Sequence, residues 1–224
     1  MSELISDSVP PSAEAASDVK SSWWRRNRIW LCVLVPVLAL AVAASSFRMV
    51  TLYLPWQWSR PIVAEGSSGT LTQSFQDLDD VRREREVTVE VLSVLDYPTL
   101  DGVRPVPGGT MWRVWLELSA EPDQHLDGCY IELTDAEGNR YDFSSGLESA
   151  EEDGFYLAPW ILRCVPEDAP GPSVELFSNE VVESEIERPR TWRYEALIAM
   201  PDGVEPETVR IGWNQPVYLE LEIP

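Results

Sequence analysis

From residue 29 to residue 47 the chain carries no formal charge, and most of these nineteen side chains are Leu, Val, Ala or Ile. A helix of that length spans roughly 28 Å, close to the hydrocarbon thickness of a bilayer. Lipid offers no hydrogen bonds, so the backbone must satisfy itself within the segment, which favours an α-helix. Pro36 removes one donor, a loss that membrane helices tolerate. A buried helix of a soluble domain would need protein on every side, and the rest of the chain reads as strands. The run therefore reads as a transmembrane helix.

Charge sets the expected orientation. Lys20, Arg25, Arg26 and Arg28 precede the apolar run, and such clusters favour the cytoplasmic side. The expected topology is single-pass in the cell membrane, with the N-terminus cytoplasmic and the C-terminal domain extracytoplasmic. Ala41-Val42-Ala43 resembles a signal-peptidase site. Two features favour a retained anchor instead: the long region before the apolar run, and the membrane-like "FRMVTLYLPWQW" at 47–58. Trp23, Trp24 and Trp30 mark one interface, and Tyr53, Trp56 and Trp58 mark the other, as in an aromatic belt. Arg25-Arg26 lacks the apolar residue that a twin-arginine signal needs after the pair. Cys32 opens the apolar run instead of closing it, so a lipoprotein signal has the wrong order.

The expected organisation is a disordered cytoplasmic tail over 1–22, a transmembrane helix with flanking anchors over 23–54, a juxtamembrane stalk over 55–84, and an exported β domain over 85–224. The stalk assignment rests on "EGSSGT" at 65–70. Residues 1–28 hold four acids and four bases, so the net charge of −21 lies beyond them. Such a surface repels nucleic acid and anionic lipid.

Strand signals fill the rest. In "EVTVEVLSVL", 86–95, Val87, Val89 and Val91 share a face. In "TMWRVWLELSA", 110–120, Trp112, Val114, Leu116 and Leu118 oppose Arg113, Trp115 and Glu117. This two-residue period marks half-buried strands. "CYIELTD" and "NRYDF" form a hairpin around Gly138, which suits a left-handed turn position. Cys129, Ile131 and Leu133 should face inward. A polar loop is expected over 144–154, an apolar strand-like run over 155–165 and a short strand over 174–177. Further strands are expected over 190–201, 207–213 and 216–224. Seven or eight strands without a long soluble helix favour an all-β fold, an immunoglobulin-like antiparallel β-sandwich.

Cys129 and Cys164 are the cysteines outside the apolar run. An oxidising exterior permits them to pair, and closing a loop of this length is worth about 4 kcal/mol on the chain-entropy model. Thiolate ligation of a metal is the alternative. His125, the lone histidine, completes no convincing site with them and reads as an exposed loop imidazole.

Four stretches carry a resemblance: "VTVEVLSV" at 87–94, "GCYIELTDAEGNRYD" at 128–142, "RCVPEDAPGP" at 163–172 and "VYLELEIP" at 217–224. With the helix before them, they resemble uncharacterised actinobacterial single-pass membrane proteins with an exported immunoglobulin-like domain. The resemblance implies a placement and a fold, and transfers no catalytic residue. Its architecture is similar to that of single-pass accessory subunits of respiratory and cell-envelope complexes.

No phosphate loop, dinucleotide fingerprint, zinc-protease helix or nucleophile elbow is present. Glu148, Glu151, Glu152 and Asp153 lack the spacing of an EF-hand and read as a solvated loop. No cofactor, metal or nucleic-acid partner is expected. Ten tryptophans are more informative. Trp112 and Trp192 suit the core, while Trp115, with Trp160 or Trp213, offers a candidate interaction surface. The expected function is a non-enzymatic, membrane-anchored interaction or accessory subunit of a cell-envelope or membrane protein complex. Its partners would be a membrane protein and, through the helix, the lipid bilayer. The alternative is an extracytoplasmic glycan- or small-ligand-binding or sensing module. A hydrolase would need a cleft holding two acids with perturbed pKa values.

Overall fold

The computed structural model describes residues 14–76, 81–126, 128–174, 181–182 and 184–224. The chain divides into two compact units, Met1–Tyr53 and Leu54–Pro224. In the first unit, helix α1 runs over Glu14–Arg48 and continues through a π turn, Met49–Tyr53. The stretch Arg25–Tyr53 is long and apolar enough to cross a membrane once, and none of its apolar window is buried within the protein. Thr51 Oγ1 donates to the Phe47 carbonyl at 2.6 Å, which keeps its hydroxyl satisfied inside the apolar run. The tail expected over 1–22 is helical from Glu14, and residues 1–13 lie outside the described residues. So do the side chains of Lys20 and Trp24.

The second unit is β-rich. Its strands are β1 (Arg60–Val63), β2 (Ser68–Gln76), β3 (Arg82–Tyr97), β4 (Val103–Pro105), β5 (Gly109–Ser119), β6 (Tyr130–Thr134), β7 (Arg140–Asp142), β8 (Leu147–Ser149), β9 (Ser173–Val174), β10 (Val181–Val182), β11 (Thr191–Pro201), β12 (Thr208–Gly212) and β13 (Val217–Glu222). A five-stranded sheet has the order β1-β13-β12-β6-β7, and a four-stranded sheet the order β11-β5-β3-β2. Two small ribbons, β4-β8 and β9-β10, are also paired. Among the described residues, neighbours are antiparallel except β1 and β13, which run parallel.

The two larger sheets feed one apolar cluster. Leu71, Val87, Val89, Leu116 and Leu118 come from one, and Ile131, Leu133, Val209, Ile211 and Leu219 from the other; all are fully buried. The expected alternation holds at Val87, Val89 and Val91, then changes phase. A bulge between Val91 and Ser93 returns Val94 to the core and leaves Leu95 exposed. Trp192 is buried and Trp112 is packed at the cluster's edge. The hairpin forms as expected, with Gly138 at φ 80°.

Three expectations need correction. Residues 55–84 are not a stalk. They hold β1, β2 and the start of β3, and Leu71 and Gln73 of β2 are buried. β1 attaches by backbone pairing to β13 with all four side chains exposed, so it leaves no hydrophobic pattern to read. The loop over 144–154 contains β8, which pairs with β4. The apolar run 155–165 is not a strand: its one pairing is an isolated bridge between Cys129 and Leu162. Of the strand expected over 174–177, Val174 lies in β9, and 175–177 lie outside the described residues.

Buried arginines tie loops to this core. Arg85 donates through Nε and Nη2 to the His125 carbonyl, at 3.1 and 2.9 Å, and through Nη1 to Asn214 Oδ1 at 2.6 Å. Its guanidinium also sits 4.2 Å above the Phe75 ring. From another side, Arg188 reaches the Glu121 and Gln124 carbonyls at 2.7 and 3.0 Å. The connection 121–126 is thus held by two planar, permanently charged donors. His125 is half-buried within it, not an exposed loop residue.

Candidate functional site: an uncharged aromatic groove

The Leu54–Trp56 turn and residues 57–59 lead into β1. The backbone NH groups of Ser59 and Arg60 both donate to the Pro216 carbonyl, at 3.0 and 2.9 Å. This fixes Trp58 beside the β12–β13 connection. Trp58 stacks on Tyr130, with centroids 5.5 Å apart, and Tyr130 meets Phe143 edge-on at 5.7 Å. Trp213 is buried and donates Nε1 to the Leu126 carbonyl at 3.0 Å.

Two glycines make room for the side chains here. A Cβ on Gly212 would lie 2.5 Å from the Trp58 ring, and one on Gly128 would lie 2.6 Å from Ile161 Cδ1. The result is a groove of about 680 Å³ lined by Trp56, Trp58, Tyr130, Trp160, Ile161 and Trp213, with Gly128, Cys129, Asn214 and Gln215. None of these residues is charged, in a chain that is 25% charged.

The floor and the rim differ. Trp213 and Tyr130 are packed into the domain, whereas Trp160 is 96% exposed and Trp56 75%. Along the segment that supplies Trp160, Phe155, Leu157 and Ile161 are also exposed. The disulfide Cys129–Cys164, with Cα atoms 5.8 Å apart, holds the end of this segment against the start of β6. Trp192 Nε1 donates to the Cys164 carbonyl at 2.9 Å and fixes it from the core side. The segment's backbone is therefore tied at its end while its apolar side chains point to solvent.

Next to the groove, the outer face of the five-stranded sheet carries paired carboxylates. Glu132 and Asp142 face each other across β6 and β7. Burial pushes the Glu132 carboxyl above its ordinary range, against the pull of Arg140, Tyr130 and Arg210. For Asp142, burial acts upward, but hydrogen bonds from Ser144 and Tyr130 outweigh it and leave the group below its ordinary range. Tyr130 Oη donates to Asp142 Oδ2 at 2.8 Å. Burial and this carboxylate hold the Tyr130 phenol neutral, well above its usual pKa. The perturbed acids are Glu132 and Asp142. They lie on a sheet face, outside the groove lining.

The expected surface of Trp115, Trp160 and Trp213 divides. Trp160 and Trp213 line the groove and Trp115 does not. Trp115 lies on β5 under Arg113, whose guanidinium is 4.1 Å from its ring and 5.7 Å from Tyr97. Arg113 is paired with Glu195 at 2.5 Å. Trp58, expected at the membrane interface, is half-buried as part of the β-rich unit. Sequence reasoning missed the partnership of Trp56 and Trp58 with Trp160, because the disulfide and the β1–β13 pairing bring them together from distant positions. Among the described residues, no group of three or more His, Cys, Asp or Glu side chains is arranged to hold a metal.

Comparison with known proteins yields no matching family profile and no significantly similar curated sequence.

Proposed function

We propose that this chain is a single-pass, membrane-anchored accessory or interaction subunit of a cell-envelope or membrane protein complex, and that it is not an enzyme. The β-rich unit is read as an immunoglobulin-like sandwich carried on the extracytoplasmic side. The observation that carries the reading is the apolar stretch Arg25–Tyr53, whose window has no part buried by the rest of the protein. Lipid or other helices must cover it. Ala39, Ala41, Ala43 and Ala44 provide small side chains that allow close approach of a second helix. The basic residues Arg25, Arg26 and Arg28 before the apolar run support a cytoplasmic N-terminus.

Purification of the tagged full chain from its native membrane in a mild detergent, with mass spectrometry of what accompanies it, tests this reading. A version with an unrelated transmembrane helix is the control. The expected result is a stoichiometric partner that is lost on swapping the helix. Absence of a specific partner from both samples would overturn the proposal.

A glycan- or small-ligand-binding role is the second reading. It is favoured by one observation, that the amide side chains of Asn214 and Gln215 join tryptophans in the same groove. Titration of the full chain in detergent with soluble cell-wall glycan fragments, followed by tryptophan fluorescence, tests it; an unchanged spectrum at saturating glycan would count against it.

A further inference from the structure

We infer that the exposed segment carrying Phe155, Leu157, Trp160 and Ile161, together with Trp56, inserts into the headgroup region of the bilayer that holds the helix. The inference rests on reading α1 as a retained membrane anchor. It adds a second membrane contact, made by the β-rich unit itself.

Chain connectivity supplies the first argument. Three peptide units separate Tyr53, the end of the membrane-spanning stretch, from Trp56. Consecutive Cα atoms are 3.8 Å apart, so Trp56 lies at most about 11 Å from that end. It therefore stays within or beside the interface, whatever angle the helix takes. Trp56 and Trp160 line one groove, which gives the segment around Trp160 reach to the same interface.

Chemistry supplies the second. Residues 49–59 carry no charge and are bracketed by Arg48 and Arg60; residues 155–162 and 211–219 carry none either. Tryptophan is the side chain most suited to the headgroup zone, with an apolar body and one polar N–H. The protein's net charge of −21 makes electrostatic attraction to anionic lipid unfavourable. The contact must then come from partition of apolar and aromatic groups, which requires no anionic lipid.

Exposure supplies the third. A glycan platform presents a tryptophan face seated against the protein, whereas Trp160 projects with 96% of its surface free. Four exposed apolar side chains within residues 155–161, next to the Cys129–Cys164 link, form an apolar projection.

The test uses the full chain in nanodiscs of phosphatidylcholine, with Cys32→Ser and a nitroxide on Ala158→Cys, labelled without reductant. A second sample carries the nitroxide on Glu137→Cys, at the β6–β7 turn and the opposite end of the five-stranded sheet from Tyr130. Collision rates with oxygen and with a water-soluble nickel chelate report lipid and water exposure. We expect several-fold fewer nickel collisions at 158 than at 137, with oxygen collisions enhanced. Trp160→Glu should return the label at 158 to water while the protein stays in the membrane at alkaline pH.

Alkaline release of the parent protein from native membranes would defeat the anchor reading and the inference with it. Retention with equal nickel access at 158 and 137 would overturn the inference alone. Shielding at 158 from both reagents would mean that protein covers the segment, and would overturn it too. So would shielding that survives Trp160→Glu.

Discussion

Trp58 lies nearly parallel to Tyr130, with ring centroids 5.5 Å apart and planes inclined by 16°. The pair joins the lead-in to β1 with the first residue of β6. Its seat is Gly212, directly opposite Tyr130 in the β12–β6 register. A side chain at 212 would occupy the space of the indole.

Gly212→Ala should therefore displace Trp58 and lower stability by about 1–3 kcal/mol, the usual cost of overpacking. Thermal unfolding of the detergent-solubilised protein, followed by near-ultraviolet circular dichroism, should show a lower midpoint and a changed aromatic signal. An unchanged spectrum would mean that Trp58 is not seated there.

Removing the disulfide should be costly. Cys129 and Cys164 are 35 positions apart, and the link holds an irregular segment that strand pairing secures only through one isolated bridge. The double change Cys129→Ser with Cys164→Ser should cost about 2–5 kcal/mol in denaturant titration. Limited proteolysis should then cleave within 155–163 before any strand of the two larger sheets.

Arg85 is the buried donor that joins the 121–126 connection to Asn214. Arg85→Lys keeps the charge but loses the planar fork, so it should not rescue the site. Both Arg85→Lys and Arg85→Met should destabilise, by about 2–3 kcal/mol, because the His125 and Asn214 carbonyl oxygens lose the forked donor that serves them together. Chemical denaturation of the two variants side by side measures this.

Acid stability should depend on the hairpin. Burial acts to raise the Asp135 carboxyl, but hydrogen bonds from Asn139, Tyr141 and Glu137 outweigh it and leave the group below its ordinary range. Its contribution is complete above the unfolded-state value of about 3.9 and is lost as pH falls through the lower folded-state value. Asp135→Ala should lower the melting temperature at pH 7 and flatten its decline below about pH 4.

Glu132 should behave in the opposite sense. Its folded-state pKa is raised by burial, so folding favours the protonated form, and that contribution fades as pH rises through the folded value. Glu132→Gln should stabilise the protein at pH 7, and the gain should disappear below about pH 4. Melting curves at pH 3.5 and pH 7 compare the two.

What the sequence made legible follows from where side-chain periodicity carries information. Val87, Val89 and Val91, or Ile131 and Leu133, alternate because one face of each strand meets the core. The disulfide was legible because two cysteines remained outside the apolar run. β1 was invisible because exposed edge residues impose no pattern, and its pairing depends on backbone groups alone. The run 155–165 misled for the converse reason. Its apolar residues suggested burial, but Phe155, Leu157 and Trp160 face outward, and Pro159 interrupts any regular ladder. The groove joins parts of the chain about a hundred residues apart, and no local signal reports that meeting.

The parallel pairing of β1 with β13 also sets an order of events during biosynthesis. β1 follows the membrane-spanning stretch almost at once, while its partner emerges roughly 150 residues later. Until then the segment next to the bilayer has open backbone donors and acceptors and no mate. Cotranslational completion of the five-stranded sheet must await β13, so the region around Trp58 closes late.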